Sequence, residues 1–200
     1  MTFIEQLVEQ ARAWSLAEIV AVFAAIAYLV LAIRQNIWCW LFAAVSTAIY
    51  IWLFIVAKLY MESVLNGFYL VMAGYGWYSW STGREGDHEK PVVVWALGKH
   101  VAAITSISVL SVVTGWLLSH TDAAFPYIDS ATTWFAIWAT YLIARKVLEN
   151  WWYWLVIDIV SVFIYWSRDL QLTSLLFCVY VAMIPFGLIA WTRSYRDKPA

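Results

Sequence analysis

The chain has 200 residues, 64% of them hydrophobic and 12% charged, with mean hydropathy +0.73 and net charge −1. Soluble domains carry about 25% charged residues, so an ordinary soluble fold is excluded, and 15 Trp, 12 Tyr and 10 Phe exclude disorder. The balanced charge gives no footprint for nucleic acid, which leaves an all-α polytopic membrane protein.

Residues 1–14 place Phe3, Ile4, Leu7, Val8, Ala11 and Trp14 at helical spacing, with Glu5, Glu9 and Arg12 between them. This reads as an interfacial amphipathic helix rather than a signal peptide, for which a basic n-region and a cleavable small-residue site are missing. A bilayer-crossing helix needs roughly 20 mostly apolar residues. Seven such runs follow, near Ser15–Ile33, Trp38–Ala57, Tyr60–Trp80, Val101–Ser119, Ser130–Ala144, Trp151–Trp166 and Leu170–Thr192. They are continuous rather than alternating, which excludes porin-type strands. Thr82–Lys99 is the one linker-like stretch, and His120–Asp129 is a shorter loop. The predicted organisation is an interfacial helix (1–14), a three-helix bundle (15–80), a cytoplasmic loop with a connector helix (81–119), a loop with a second three-helix bundle (120–192) and a cytoplasmic tail (193–200).

Orientation follows from lysine and arginine in the connections. Arg12, Lys58 and Arg168 fall on the amino-terminal side. Arg34, Arg84, Lys90, Lys99, Arg145, Lys146, Arg193, Arg196 and Lys198 fall on the other. The richer side is expected to be cytoplasmic, with the N-terminus outside and the C-terminus inside.

Sliding the chain onto itself so that Trp38 falls on Trp152 also brings Trp40 onto Trp154, Trp52 onto Trp166 and Trp77 onto Trp191. Asn36 then meets Asn150, Leu41 meets Leu155, and Thr47 meets Ser161. Composition bias is the competing explanation. Read as a repeat, spans one to three match spans five to seven, and the intervening span lets both copies face the same way. Such 3+1+3 parallel repeats are a transporter design, as in the SWEET proteins, with the substrate near the midplane between the halves.

Asp158 stands near the middle of span six. A central carboxylate costs about 2.5–3.5 kcal/mol on insertion scales and usually faces a bundle interior or cavity. Trp151, Trp154, Ser161 and Tyr165 share its helical face. The alternative is a protonated Asp bonded to a neighbouring backbone or to Ser161. Span three repeats the theme with Asn66, Tyr69, Ala73, Trp77 and Trp80 on one stripe, preceded by Glu62, with Gly74 and Gly76 thinning the backbone. Small residues are also common at membrane helix interfaces, and terminal Trp and Tyr form interfacial belts. Span two contributes Trp40, Ser46, Thr47 and Tyr50. Span seven contributes Thr173, Tyr180 and Trp191, with Pro185 and Gly187 as a kink. The candidate substrate-binding set is Trp40, Thr47, Tyr50, Asn66, Tyr69, Trp77, Trp151, Trp154, Asp158, Ser161, Tyr165 and Tyr180.

His88, His100 and His120 lack metal-ligand spacing, Cys39 and Cys178 sit in apolar runs, and hydrolase, metalloprotease and P-loop motifs are missing. No metal, cofactor or enzymatic activity is expected. An aromatic cage with one acid suits a small, flat, cationic heteroaromatic solute. It argues against phosphorylated solutes, because no Lys or Arg lies mid-membrane.

From Ile19 to Trp191 the chain resembles the PnuC family of vitamin B precursor transporters, best known for nicotinamide riboside. The resemblance rests on Asn66-Gly67-Phe68-Tyr69, similar to the family's N-x-x-Y, and on Tyr75-Gly76-Trp77-Tyr78-Ser79-Trp80, similar to its Y-G-W-x-x-W. It rests also on Arg145-Lys146-Val147-Leu148-Glu149-Asn150-Trp151, similar to its R-K-x-x-E-N-W. It implies a SWEET-related helix arrangement, a homotrimer in the bacterial inner membrane, and facilitated diffusion, with a cytoplasmic vitamin kinase trapping the solute. Trp154, Asp158, Asn66 and Tyr69 match positions around the family's ligand. Some members carry asparagine where Asp158 stands, which leaves nicotinamide riboside first and thiamine second. Proton coupling through Asp158 or Glu62, and a vitamin-binding protein that does not transport, are the competing functional readings.

Overall fold

A computed structural model describes residues 15–56, 60–82, 90–121, 125–168 and 170–197, with backbone alone for 60–62. The interfacial helix expected over 1–14 lies outside the described residues, as does the side chain of Glu62. Seven helices are present among the described residues: α1 (Leu16–Ile33), α2 (Cys39–Val56), α3 (Tyr60–Thr82), α4 (Leu97–Leu118), α5 (Pro126–Ala144), α6 (Asn150–Ser167) and α7 (Gln171–Arg196). Of these, α1, α2, α4 and α7 are long and apolar enough to cross a membrane. The other three carry the Asn, Thr, Tyr and Asp side chains that lower their hydropathy.

Local chemistry sets the boundaries. Ser15 opens α1 with a capping box, its Oγ accepting from the Glu18 amide at 3.2 Å while the Ser15 amide donates to Glu18 Oε2 at 2.6 Å. The helix α5 starts at Pro126, ahead of the expected Ser130, because proline is already shaped for a helix's first turn. The loop expected over His120–Asp129 is shortened accordingly. The connector α4 likewise starts at Leu97 rather than Val101. Ahead of it, residues 90–96 form an extended strap. Val92 is fully buried there, Val93 donates its amide to the Lys146 carbonyl (3.0 Å), and Val93 O accepts from the Leu148 amide (2.9 Å).

Correspondences between the two ends of the chain fall at a separation three residues shorter than the tryptophan alignment. Gln35 and Lys146, 111 residues apart, are the non-glycine positions with positive φ among the described residues (57° and 54°). At that same separation α2 maps end to end onto α6, the end of α1 onto the end of α5, and the start of α3 onto the start of α7. Side-chain bonds repeat as well. Ser63 Oγ donates to the Ile51 carbonyl and Ser174 Oγ to the Val162 carbonyl. A slip of three residues is close to one helical turn of 3.6, so aromatic-rich faces overlap nearly as well in the wrong register.

Each set packs in sequence, α1 on α2 on α3 and α5 on α6 on α7, while α4 lies against α5. The two sets meet where α3 touches α5 and α1 touches α7. At the end rich in lysine and arginine, four tryptophans close this seam. Trp40 stands edge-on to Trp80 (5.5 Å, 85°), Trp151 edge-on to Trp191 (5.5 Å, 90°), and Trp80 meets Trp191 at 6.3 Å. Glycine makes the room. A Cβ on Gly76 would lie 2.3 Å from the Trp40 ring, and one on Gly187 would lie 2.5 Å from the Trp151 ring.

Candidate functional site

The helix α6 has two unlike faces. Trp152, Val156, Phe163 and Trp166 point outward and are exposed, whereas Trp151, Ile157, Asp158, Ser161 and Ile164 are buried. Asp158 is 5% exposed, so its carboxylate faces the interior of the bundle, not the outer surface that lipid would cover. Among the described residues it makes no hydrogen bond or ion pair, whereas Asp129 is paired with Arg168. A buried carboxylate without a partner is costly unless something pairs with it.

A chain of tyrosines begins beside it. Tyr180 of α7 is within electrostatic reach of Asp158 and of Tyr50 from α2. Tyr165 of α6 is within reach of Tyr50 and of Tyr69 from α3. Phe177 holds this group in place, stacking on Tyr165 at 5.2 Å and meeting Tyr180 edge-on at 5.6 Å. Tyr50 stacks on Phe54 at 5.6 Å. Tyr69 and Trp154 both pack against Ala136, Ala139 and Ile157, so Tyr69 reaches from the first helix set onto the second. The Trp154 indole nitrogen is buried without a hydrogen-bond partner among the described residues.

Tyr50, Tyr69, Trp154, Asp158, Tyr165 and Tyr180 therefore converge from α2, α3, α6 and α7. Ser161 is buried one turn beyond Asp158 on the same face. Asn66 is half-buried one turn before Tyr69. Thr47 is also half-buried, its hydroxyl donating to the Ala43 and Ala44 carbonyls of its own helix. In the structural register Thr47 corresponds to Asp158 and Tyr50 to Ser161, while Tyr69 and Tyr180 correspond to each other. Of these corresponding positions, only 158 carries an acid.

The remaining expected residues lie elsewhere. Trp40 and Trp151 belong to the tryptophan closure, 2% and 0% exposed. Trp77 is not brought to the group at all. It is exposed and stands edge-on to the exposed Trp38 at 5.5 Å, a position suited to an interfacial belt. Phe54 and Phe177, which back the tyrosines, and Trp80, which completes the closure, fall outside the expected set. Their spacing from Tyr50, Tyr180 and Gly76 on the same helices is the signal that could have found them.

The closure itself is reciprocal. Trp80 Nε1 donates to the Ile143 carbonyl (3.3 Å) and Trp191 Nε1 to the Ala32 carbonyl (3.0 Å), so each set grips the other through corresponding atoms. Lys146, 1% exposed, donates to Gln35 Oε1 (3.2 Å) and lies 4.5 Å above the Trp80 ring. Lys90 reaches from the strap to Ser79 Oγ and to the Ala144 carbonyl. Burial and the neighbouring Arg145 guanidinium push the Lys90 ammonium down to about 8.

Similarity to known proteins agrees with this geometry. The chain is 23% identical to the nicotinamide riboside transporter PnuC of Escherichia coli strain K12, over 84% of this chain and 81% of that protein. It is 25% identical to the riboflavin/roseoflavin transporter RibM of Streptomyces davaonensis, over 85% of this chain and 82% of RibM. In three dimensions it matches the crystal structure of the vitamin B3 transporter PnuC with a TM-score of 0.74 at 22% identity, covering 98% of this chain and 91% of that one. Residues 15–193 match the family described as nicotinamide mononucleotide transporter, and the chain belongs to that family, which includes the PnuC proteins.

Proposed function

We propose that this chain carries a small, flat, cationic vitamin across the bacterial inner membrane by facilitated diffusion, with nicotinamide riboside as its foremost substrate. The observation that carries the reading is Asp158, buried without a hydrogen-bond or ion-pair partner among the described residues and linked through Tyr180 to Tyr50 of the other helix set. A pyridinium ring would supply the missing positive charge, while phenol and indole faces stack on it, each worth about 0.5–2 kcal/mol. Asn66 and Ser161 suit the hydroxyls of a ribose. RibM is named for riboflavin, yet an uncharged isoalloxazine would leave Asp158 unpaired, so the charge favours the substrate named for PnuC. Thiamine, also a flat cation, is the second reading on the same ground.

In this reading the helices are arranged 3+1+3, α1–α3 and α5–α7 being the moving halves and α4 the connector. The basic end is cytoplasmic and the N-terminus outside. Alternating access has a definite requirement in this architecture. To open the basic end, the Trp80–Ile143 and Trp191–Ala32 bonds must break together, because corresponding atoms hold both sides of the seam. The exposed apolar side chains of α4 offer a surface for lipid or for assembly into the proposed homotrimer. A cytoplasmic kinase that phosphorylates the vitamin would keep it inside.

The test is counterflow. Proteoliposomes loaded with unlabelled nicotinamide riboside should accumulate the labelled vitamin without any imposed gradient. No exchange of nicotinamide riboside, thiamine or riboflavin, despite tight binding in detergent, would support a non-transporting binder. Net uptake that follows an imposed pH gradient would support proton coupling.

A further inference from the structure

The two helix sets carry corresponding acids near their first turns, Glu18 on α1 and Asp129 on α5, and the structure treats them differently. Asp129 is neutralised: Arg168 Nη2 donates to its Oδ2 at 2.7 Å. The position that corresponds to Arg168 in the first set is Ala57, an alanine rather than an arginine, and the Lys58 that follows it lies outside the described residues. Among the described residues Glu18 has no cationic partner. Its Oε2 accepts from the Ser15 amide and hydroxyl. No hydrogen bond engages its Oε1 among the same residues.

Helix register sets where this acid points. Ser46 Oγ of α2 donates to the Ala21 carbonyl of α1 at 2.9 Å, fixing the two antiparallel helices against each other. One turn onward from Ser46 is Tyr50; roughly one turn back from Ala21 is Glu18. The two are thus level, on the end of the bundle opposite the tryptophan closure, and close enough to interact electrostatically. Tyr50 in turn reaches Tyr180, and Tyr180 reaches Asp158. A carboxyl group, two phenols and a second carboxyl group are thus linked pairwise from the end of the bundle opposite the tryptophan closure to its interior.

Taking the transport reading above as given, we infer that Glu18 is a charge-selecting residue, the first anionic contact of a cationic substrate on its way past Tyr50 to Asp158. A carboxylate at a low-dielectric mouth raises the local concentration of cations and the rate at which they are captured. The effect is screened once the Debye length falls well below about 10 Å. The acid also caps α1, and the two roles are separable. Glutamine at this position keeps the capping box and removes the charge.

The experiment measures initial counterflow rates in proteoliposomes for nicotinamide riboside and for its uncharged reduced form, at low and high salt. It compares the wild type with Glu18→Gln and Glu18→Asp, alongside their thermal unfolding. Glu18→Gln should lower cation capture about fivefold at low salt, through KM, with little loss at high salt, no loss for the uncharged form and an unchanged unfolding temperature. Glu18→Asp should restore most of the loss. Equal rates for wild type and Glu18→Gln at low salt would overturn the inference, as would an equal loss for both solutes, which would leave only the cap. Wild-type vesicles that exchange neither solute would instead overturn the transport reading, and this residue's role with it.

Discussion

Lys146 and Gln35 occupy corresponding positions in the two helix sets and meet each other directly, the ammonium 3.2 Å from the amide oxygen. Both adopt positive φ, a conformation that costs a non-glycine residue roughly 1–2 kcal/mol. Gln35→Leu removes an acceptor from a buried ammonium and should destabilise the protein by about 1.5–3 kcal/mol. Thermal unfolding in detergent checks this.

The reciprocal indole bonds make a matched pair of predictions. Trp80→Phe and Trp191→Phe each remove one bond across the seam and should each cost about 1 kcal/mol. Because the two rings are 6.3 Å apart, the double variant should depart from the sum of the single ones. Chemical unfolding of the four proteins gives the cycle.

The glycines fall into two classes. Gly76→Ala and Gly187→Ala drive a methyl into a tryptophan ring and should cost about 1–3 kcal/mol or more. Gly67→Ala and Gly74→Ala meet nothing within 4 Å and should be neutral or stabilising by up to about 1 kcal/mol through helix propensity. Unfolding midpoints that do not separate the two pairs would contradict the packing described.

Lys90 gives a pH dependence with a definite sign. Its folded value is lowered, to about 8, by burial and by Arg145. Between about 8 and the ordinary lysine value the unfolded chain binds the extra proton, so this residue's contribution to stability rises with pH in that window. Lys90→Met should abolish that rise. Comparing wild-type and variant unfolding temperatures between pH 8 and pH 10 isolates it.

Much of this was legible in the residues. Continuous apolar runs gave seven helices, and the neighbours of Asp158 at helical steps gave its buried face. The register of the repeat was harder. Trp38 and Trp152 fall close in an aromatic-rich chain where a slip of nearly one turn goes unpunished, whereas Gly76 and Gly187 locate the true correspondence only once their rings are in place. Trp40 and Trp151 look identical to Trp77 in sequence. What separates them is a glycine on a different helix, and burial decided by a distant partner leaves no local signature. The Arg168–Asp129 pair, with Ala57 in the first set, is likewise visible only after the two sets are superposed.

Calorimetric titration of wild type and Asp158→Asn with nicotinamide riboside and with its uncharged reduced form tests the central claim most directly. The variant should bind the cation about tenfold or more weakly, the loss of a charge-assisted contact, and the uncharged form as tightly as before. Equal affinity of wild type and variant for the cation would contradict it.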